Sequence, residues 1–105
     1  MRNLRWSSGE KKAARRLLDR AREREYRELM DEINALRVES PEDIWELRER
    51  LNEKAREMNE RYNYHYSRLI YVFAQLVHLG YLRPEEIEEL GEAKAKKIKV
   101  LLDWE

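Results

Sequence analysis

Ser40-Pro41-Glu42-Asp43-Ile44-Trp45-Glu46-Leu47 decides how this chain folds. Ser40 is a good helix N-cap and Pro41 suits the first helical position. Glu42 and Asp43 complement the positive end of a helix dipole. A new helix therefore starts here. Its residues Ile44, Leu47, Leu51, Ala55, Met58 and Tyr62 recur three and four apart, the seam spacing of a helix pair. Upstream, no breaker interrupts the stretch 8–37, which is rich in Arg, Glu, Leu and Ala. Ser7-Ser8-Gly9-Glu10 reads as a capping box at its start. Ala14, Leu18, Tyr26, Leu29, Ile33 and Leu36 fall on one helical face, widened by Leu17, Ala21 and Met30. At 1.5 Å per residue this first helix would be about 45 Å long. The short 38–40 connection makes the two helices an antiparallel hairpin.

Downstream the composition changes. Residues 62–82 contain one charged side chain, Arg68, and five of the six tyrosines. A mostly buried helix is expected from about Tyr66 to Leu79, ended by Gly80 as a left-handed cap. Asn63-Tyr64-His65 reads as a break between helices. Pro84-Glu85-Glu86 opens a short helix that Gly91 stops. A last helix covers about 92–102, with Ile98, Leu101 and Leu102 inward and Lys94, Lys96, Lys97 and Lys99 opposite. No strand pattern or internal repeat is visible. The fold class is all-α: a long antiparallel helical hairpin plus a small C-terminal helical head. The expected division is 1–7 flexible N-terminus, 8–62 hairpin for dimerisation and 63–105 head.

The 105 residues carry 22 basic and 22 acidic side chains, so 42% are charged against roughly 25% in an ordinary domain. The mean hydropathy is −0.97. Zero net charge argues against a general polyanion binder. Forty-two per cent hydrophobic residues argue against disorder. The longest uncharged run, Leu69–Leu82, is shorter than the about 20 residues of a membrane span. The first residues lack the apolar core of a signal peptide, and a cytoplasmic location is expected. Absent cysteine removes thiolate chemistry.

Catalytic signals are missing. His65 and His78 have no metal-ligand spacing, and His78, on the most apolar helix, reads as a structural histidine. Acidic pairs such as Glu42/Glu46 follow from acid abundance. There is no glycine-rich phosphate loop and no nucleophile elbow. A non-enzyme without cofactor or metal is expected. Charge is nevertheless uneven. Residues 1–24 hold nine basic and three acidic side chains, and residues 41–60 four and seven. The plain reading is a solvated helix with i,i+4 pairs such as Glu46–Arg50. The alternative is a structural or nucleic-acid-associated helical protein that uses the basic first helix. The preferred reading has neither nucleic acid nor membrane as partner.

Two paired stripes enclose no core, so the hairpin needs another surface. A symmetric dimer built by the first two helices is the expected solution. The other solution is a monomer whose tail folds back over the hairpin.

Asp43-Ile44-Trp45, Glu57-Met58-Asn59, Arg61-Tyr62, the run Leu69-Ile70-Tyr71-Val72-Phe73-Ala74-Gln75-Leu76-Val77, Gly80 and Lys97-Ile98-Lys99 stand in this order along the chain. In these residues the sequence resembles the fluorescence recovery protein family of cyanobacteria and its relatives in other bacteria. The resemblance implies a helical homodimer that binds the photoactivated orange carotenoid protein through that protein's C-terminal domain. It further implies faster return to the resting orange form, with no covalent chemistry. Trp45 matches the family's Trp at the hairpin and dimer contact. Glu49 stands at an Asp position of the active surface. Tyr71 stands at a head Phe implicated in binding, and Lys97 matches a head Lys. Arg48 replaces a typical His, and Ala55 replaces an Arg tied to dimerisation and activity. The expected partner-binding residues are Trp45, Arg48, Glu49, Tyr71 and Lys97. The expected dimer face is Trp45, Leu47, Leu51, Ala55, Leu18 and Tyr26. Light scattering in solution should give the mass of two chains, and a concentration-independent mass near 12.9 kDa would refute the dimer.

Overall fold

A computed structural model describes residues 5–103. The described residues form helices and no strands: α1 (Ser8–Ala35), α2 (Pro41–Arg61), α3 (Leu69–Leu79) and α4 (Glu92–Asp103), with 3-10 segments at Tyr66–Arg68 and Pro84–Leu90. The molecule measures 52 × 27 × 24 Å. None of its described helices is long and apolar enough to cross a membrane.

The ends of the helices follow local chemistry. The Glu10 amide donates to Ser7 Oγ at 3.1 Å, and the Ser7 amide donates to Glu10 Oε1 at 2.8 Å. This is the expected capping box. At α2 the Asp43 amide donates to Ser40 Oγ at 3.2 Å. Gly80 closes α3 at φ 88°, a left-handed conformation without a Cβ penalty for glycine. The segment 62–65 is the break between α2 and the head.

One core spans both sides of residue 62. Ala13, Ala14, Leu17, Leu18 and Ala21 from α1 pack with Leu69, Ile70, Phe73 and Leu76 from α3, and with Leu82, Ile87, Leu90 and Ile98. The C-terminal elements thus fold back over the first half of α1. Residues 1–4 of the segment expected to be flexible lie outside the described residues. Trp6 in that segment is buried, and its Nε1 donates to the Tyr66 carbonyl at 3.2 Å. Lys94 is also buried, against the expectation of a solvated face. Its Nζ lies 4.9 Å from the Trp6 ring centroid and donates to the Arg5 carbonyl at 2.6 Å and Glu10 Oε1 at 3.2 Å. The ammonium is held because a ring face, a carbonyl and a carboxylate replace its water.

α3 is less enclosed than its composition suggests. Leu69, Ile70, Phe73 and Leu76 are buried, while Tyr71, Gln75, His78 and Leu79 face solvent. His78, expected as a hydrogen-bonded structural histidine, stands exposed in the last turn of α3 and is not without a partner. One side of an 11-residue helix meets the core, and apolar composition does not change that geometry.

α2 is attached differently. Its buried residues are Lys54, Met58 and Arg61. Lys54 Nζ donates to Glu25 Oε2 at 2.5 Å, Arg61 Nη2 to Oε2 at 2.6 Å, and Tyr62 OH to Oε1 at 2.7 Å. Glu25 itself is 0% exposed. Burial raises its carboxyl pKa, but the hydrogen bonds from Arg61, Lys54 and Tyr62 outweigh burial and leave it below its ordinary value. Nearer the stem tip, Arg50 grips Glu32 with Nε and Nη2, both at 3.0 Å. Arg50 thus bridges to the other helix, where the sequence suggests Glu46. Glu25→Ala would strand two cations and a hydroxyl, and should cost about 3–5 kcal/mol in chemical denaturation. Destabilisation below about 1 kcal/mol would mean that α2 is held by other contacts.

Candidate functional site

The expected partner-binding residues fall into two groups. Trp45, Arg48 and Glu49 lie three and four apart on the outer face of α2, and all three are exposed. Trp45 is 59% exposed. Neither Arg48 nor Glu49 has a charged partner among the described residues. Ile44, Leu36 and Val38 are exposed beside Trp45 at the stem tip. The tip also holds a shallow cleft of about 340 Å³ between Leu36, Val38, Leu47 and the Glu32–Arg50 pair.

Tyr71 and Lys97 form the second group. Tyr71, 57% exposed, stands on α3, and Lys97 stands on α4. They line one open groove of about 520 Å³ with Ile70, Lys96, Val100 and Leu101. The groove exists because α3 and α4 pack side by side, with Ile70 and Ile98 buried between them and Tyr71, Lys97 and Val100 left outside. Lys96 and Lys97 pair with no carboxylate among the described residues, whereas Lys99 is tied to Glu88. The groove therefore offers apolar surface rimmed by two free ammonium groups.

The two groups lie at opposite ends of the long axis. α4 is pinned near the start of α1 through Lys94 and Glu10, while Trp45 stands beside the end of α1. The 28 residues of α1 span about 40 Å.

The expected dimer face is dispersed. Tyr26 is exposed on the second half of α1, and Ala55 is exposed on α2. Leu47 and Leu51 are half-buried. Leu18 is 1% exposed, inside the chain's own core, and has no surface for a second copy. The wide stripe of α1 divides: its first half is covered by the head, and its second half, with Tyr26, Met30 and Ile33, stays open.

Charges counted as solvated in the sequence help to position the head. Arg24 donates to both oxygens of Glu86, at 2.7 and 3.0 Å, and to the Tyr81 carbonyl at 3.0 Å. Arg20 bridges Glu86 at 3.0 Å and Glu89 at 2.8 Å. Arg24, the Arg83 amide and Arg20 together hold the Glu86 carboxyl at about 2, against the opposing effect of burial. These pairs neutralise part of the basic first helix and weaken its case as a nucleic-acid surface. A signal for Glu25 was present: it follows Ala14, Leu18 and Ala21 at seam spacing. Lys54 and Arg61 similarly continue Leu47, Leu51 and Met58. Among the described residues, no cluster of His, Asp and Glu could hold a metal ion.

The family profile of the photoprotection regulator fluorescence recovery protein matches residues 6–102. The fluorescence recovery protein of Synechocystis sp. is 34% identical over 98 residues, covering 91% of this chain and 90% of that protein. The solved structure of the Fremyella diplosiphon fluorescence recovery protein superposes with a TM-score of 0.85 at 35% identity, covering 96% of this chain and all of that one. The Synechocystis structure gives 0.83 at 33% identity, covering 94% of this chain and 99% of that one.

Tyr71→Ala should change unfolding free energy by no more than about 0.5 kcal/mol, as for an exposed side chain. Phe73→Ala, two residues on and fully buried, should cost about 3–5 kcal/mol. Equal losses in urea titrations would show that Tyr71 is structural rather than a surface residue.

Proposed function

The chain belongs to the fluorescence recovery protein family of photoprotection regulators, and we propose that it acts by binding the photoactivated orange carotenoid protein and speeding its return to the resting form. The shared Tyr71–Lys97 groove is the observation that carries this reading. It joins two elements distant in sequence into one surface with an apolar floor and cationic rim, a composition that suits protein recognition. The C-terminal domain of the carotenoid protein is the proposed binding partner for the groove. Trp45, Arg48 and Glu49 provide a second contact on the stem.

No bond to the pigment need be made or broken. A binding protein accelerates a conformational return by holding the barrier between two conformers more tightly than the starting one. The chain works as a homodimer in the cytoplasm. The exposed Tyr26, Met30, Ile33 and Trp45 supply apolar surface along the stem for the second copy. Ala55 stands where the resemblance places an arginine, so the stem contact lacks a guanidinium there. Ala55 is exposed, which leaves room for the longer side chain.

Purified chain mixed with photoactivated orange carotenoid protein should shorten recovery and co-elute with it. Tyr71→Ala combined with Lys97→Glu should reduce the acceleration about tenfold or more, the loss of roughly 1.4 kcal/mol of binding, with helix content retained. Ala55→Arg should strengthen the acceleration or tighten the dimer. Recovery unaffected by the wild-type chain, with no co-elution, would overturn the reading.

A further inference from the structure

The basic first half of α1 has no task in the function proposed above. Residues 5–16 hold five basic side chains and one acidic one, Glu10, which Lys94 already engages. Arg20 and Arg24 further along are tied to Glu86. Lys11, Lys12, Arg15 and Arg16 are exposed and form no salt bridge among the described residues. Two of these four are seated. Arg15 Cζ lies 4.4 Å from the centroid of the Tyr64 ring, and Lys11 Nζ lies 5.1 Å from that of Tyr66. Both tyrosines come from the break between α2 and the head and pack against the core. The Tyr64 hydroxyl donates to Asp19 at 3.4 Å. Tyr66 is fixed by Trp6, which donates to its carbonyl and whose ring centroid lies 6.0 Å away. The core thus holds the rings, and the rings hold the cations. Long charged side chains lose much freedom when they bind, and these two have given up part of it in advance. They stand four residues apart on one helix, so about 5–6 Å separates their stems.

We propose that Lys11 and Arg15, seated on Tyr66 and Tyr64, form a docking site for an acidic helix of a protein partner that carries two carboxylates four residues apart. Carboxylates at i and i+4 of a helix have the same separation as the two cations. A cation over a ring still has N–H groups to donate, and a carboxylate is the acceptor that matches them. Protein suits the site better than nucleic acid. Asp19 is exposed one further turn along the same row and would repel a continuous chain of phosphates. The tyrosine faces that could stack bases are already covered by the cations. The site shares no residue with the Tyr71–Lys97 groove or the Trp45 face, and it stands apart from the carotenoid-protein reading.

The test is an NMR titration of the isotope-labelled full chain at about 50 mM NaCl, where surface charges are only partly screened. One probe is a stapled, alanine-based helical peptide with Glu at positions i and i+4. The second is its isomer with Glu at i and i+2, which do not share a face. The third is a thymidine trinucleotide, whose two phosphates match the charge of the peptides. The first peptide should bind about tenfold more tightly than its isomer, the worth of one charge-assisted hydrogen bond. Its shifts should concentrate at Lys11, Arg15, Tyr64 and Tyr66. Lys11→Gln with Arg15→Gln should abolish the preference. Lys12→Gln with Arg16→Gln removes the same charge from the neighbouring side of α1 and should retain it. Tyr64→Leu keeps every charge and should weaken binding about threefold through the lost ring contact. The glutamine variants alter exposed side chains only, so they decide the matter even if circular dichroism shows that Tyr64→Leu loses its helices. Equal binding of the two peptides overturns the proposal. So does an equal loss in the two double variants, or a folded Tyr64→Leu that binds like the wild type. Tighter binding of the trinucleotide than of the first peptide assigns the face to nucleic acid and overturns it as well.

Discussion

The tertiary arrangement depends first on one buried carboxylate. Glu25 is enclosed near the middle of α1, and Lys54, Arg61 and Tyr62 converge on it from α2 and its end. Taking these charges out of water is costly, and the cost is recovered only if every polar atom finds a partner. All of them do: among the described residues no buried side-chain polar atom lacks one. Lys54 also lies 5.8 Å from the Tyr81 ring centroid, and Tyr81 OH donates to Glu28 at 2.5 Å. The cluster therefore joins α1, α2 and the start of the head in one network. Directional bonds fix the register of α2 more narrowly than an apolar seam would, since a shift of one residue would strand both cations.

That choice of fastening shapes the rest of the surface. Because ion pairs hold α2, its apolar residues need not all turn inward. Ile44 and Trp45 are left in the open, with Tyr26, Met30 and Ile33 on the facing helix. The head, in contrast, is anchored on the first half of α1 by an apolar core, supplemented by the Arg20–Arg24–Glu86 pairs and the Lys94–Trp6 stack. α1 is thus a common spine, with one half inside the core and the other half in the stem. Part of the balanced charge of the chain is paired between elements, as at Glu25, Glu32 and Glu86, and the rest is a solvated exterior.

This division leaves exposed surface at both ends without weakening the core. Such surfaces can serve recognition only if they are stable while unoccupied. The groove between α3 and α4 is held from beneath by Ile70 and Ile98, so its walls do not depend on a ligand for their position.

The sequence by itself determined the four helices, their order and most of their limits. Ser7 with Glu10, Ser40 with Asp43, and Gly80 were legible because capping satisfies backbone groups within about four residues. The run from Asp43 to Lys99 was equally sufficient to suggest the family. The candidate site was half legible: Trp45, Arg48 and Glu49 share a face by helical spacing alone, whereas only the packing of α3 on α4 brought Tyr71 and Lys97 to one groove. Burial was the least legible property. Leu18 and Tyr26 belong to one stripe in sequence, yet the head covers the first and leaves the second open. Glu25, Lys54, Arg61 and Lys94 resemble dozens of other charges in a chain that is 42% charged. What selects them is the company of groups far away along the chain, because a charge can leave water only where several complementary groups meet it, and that condition belongs to three dimensions.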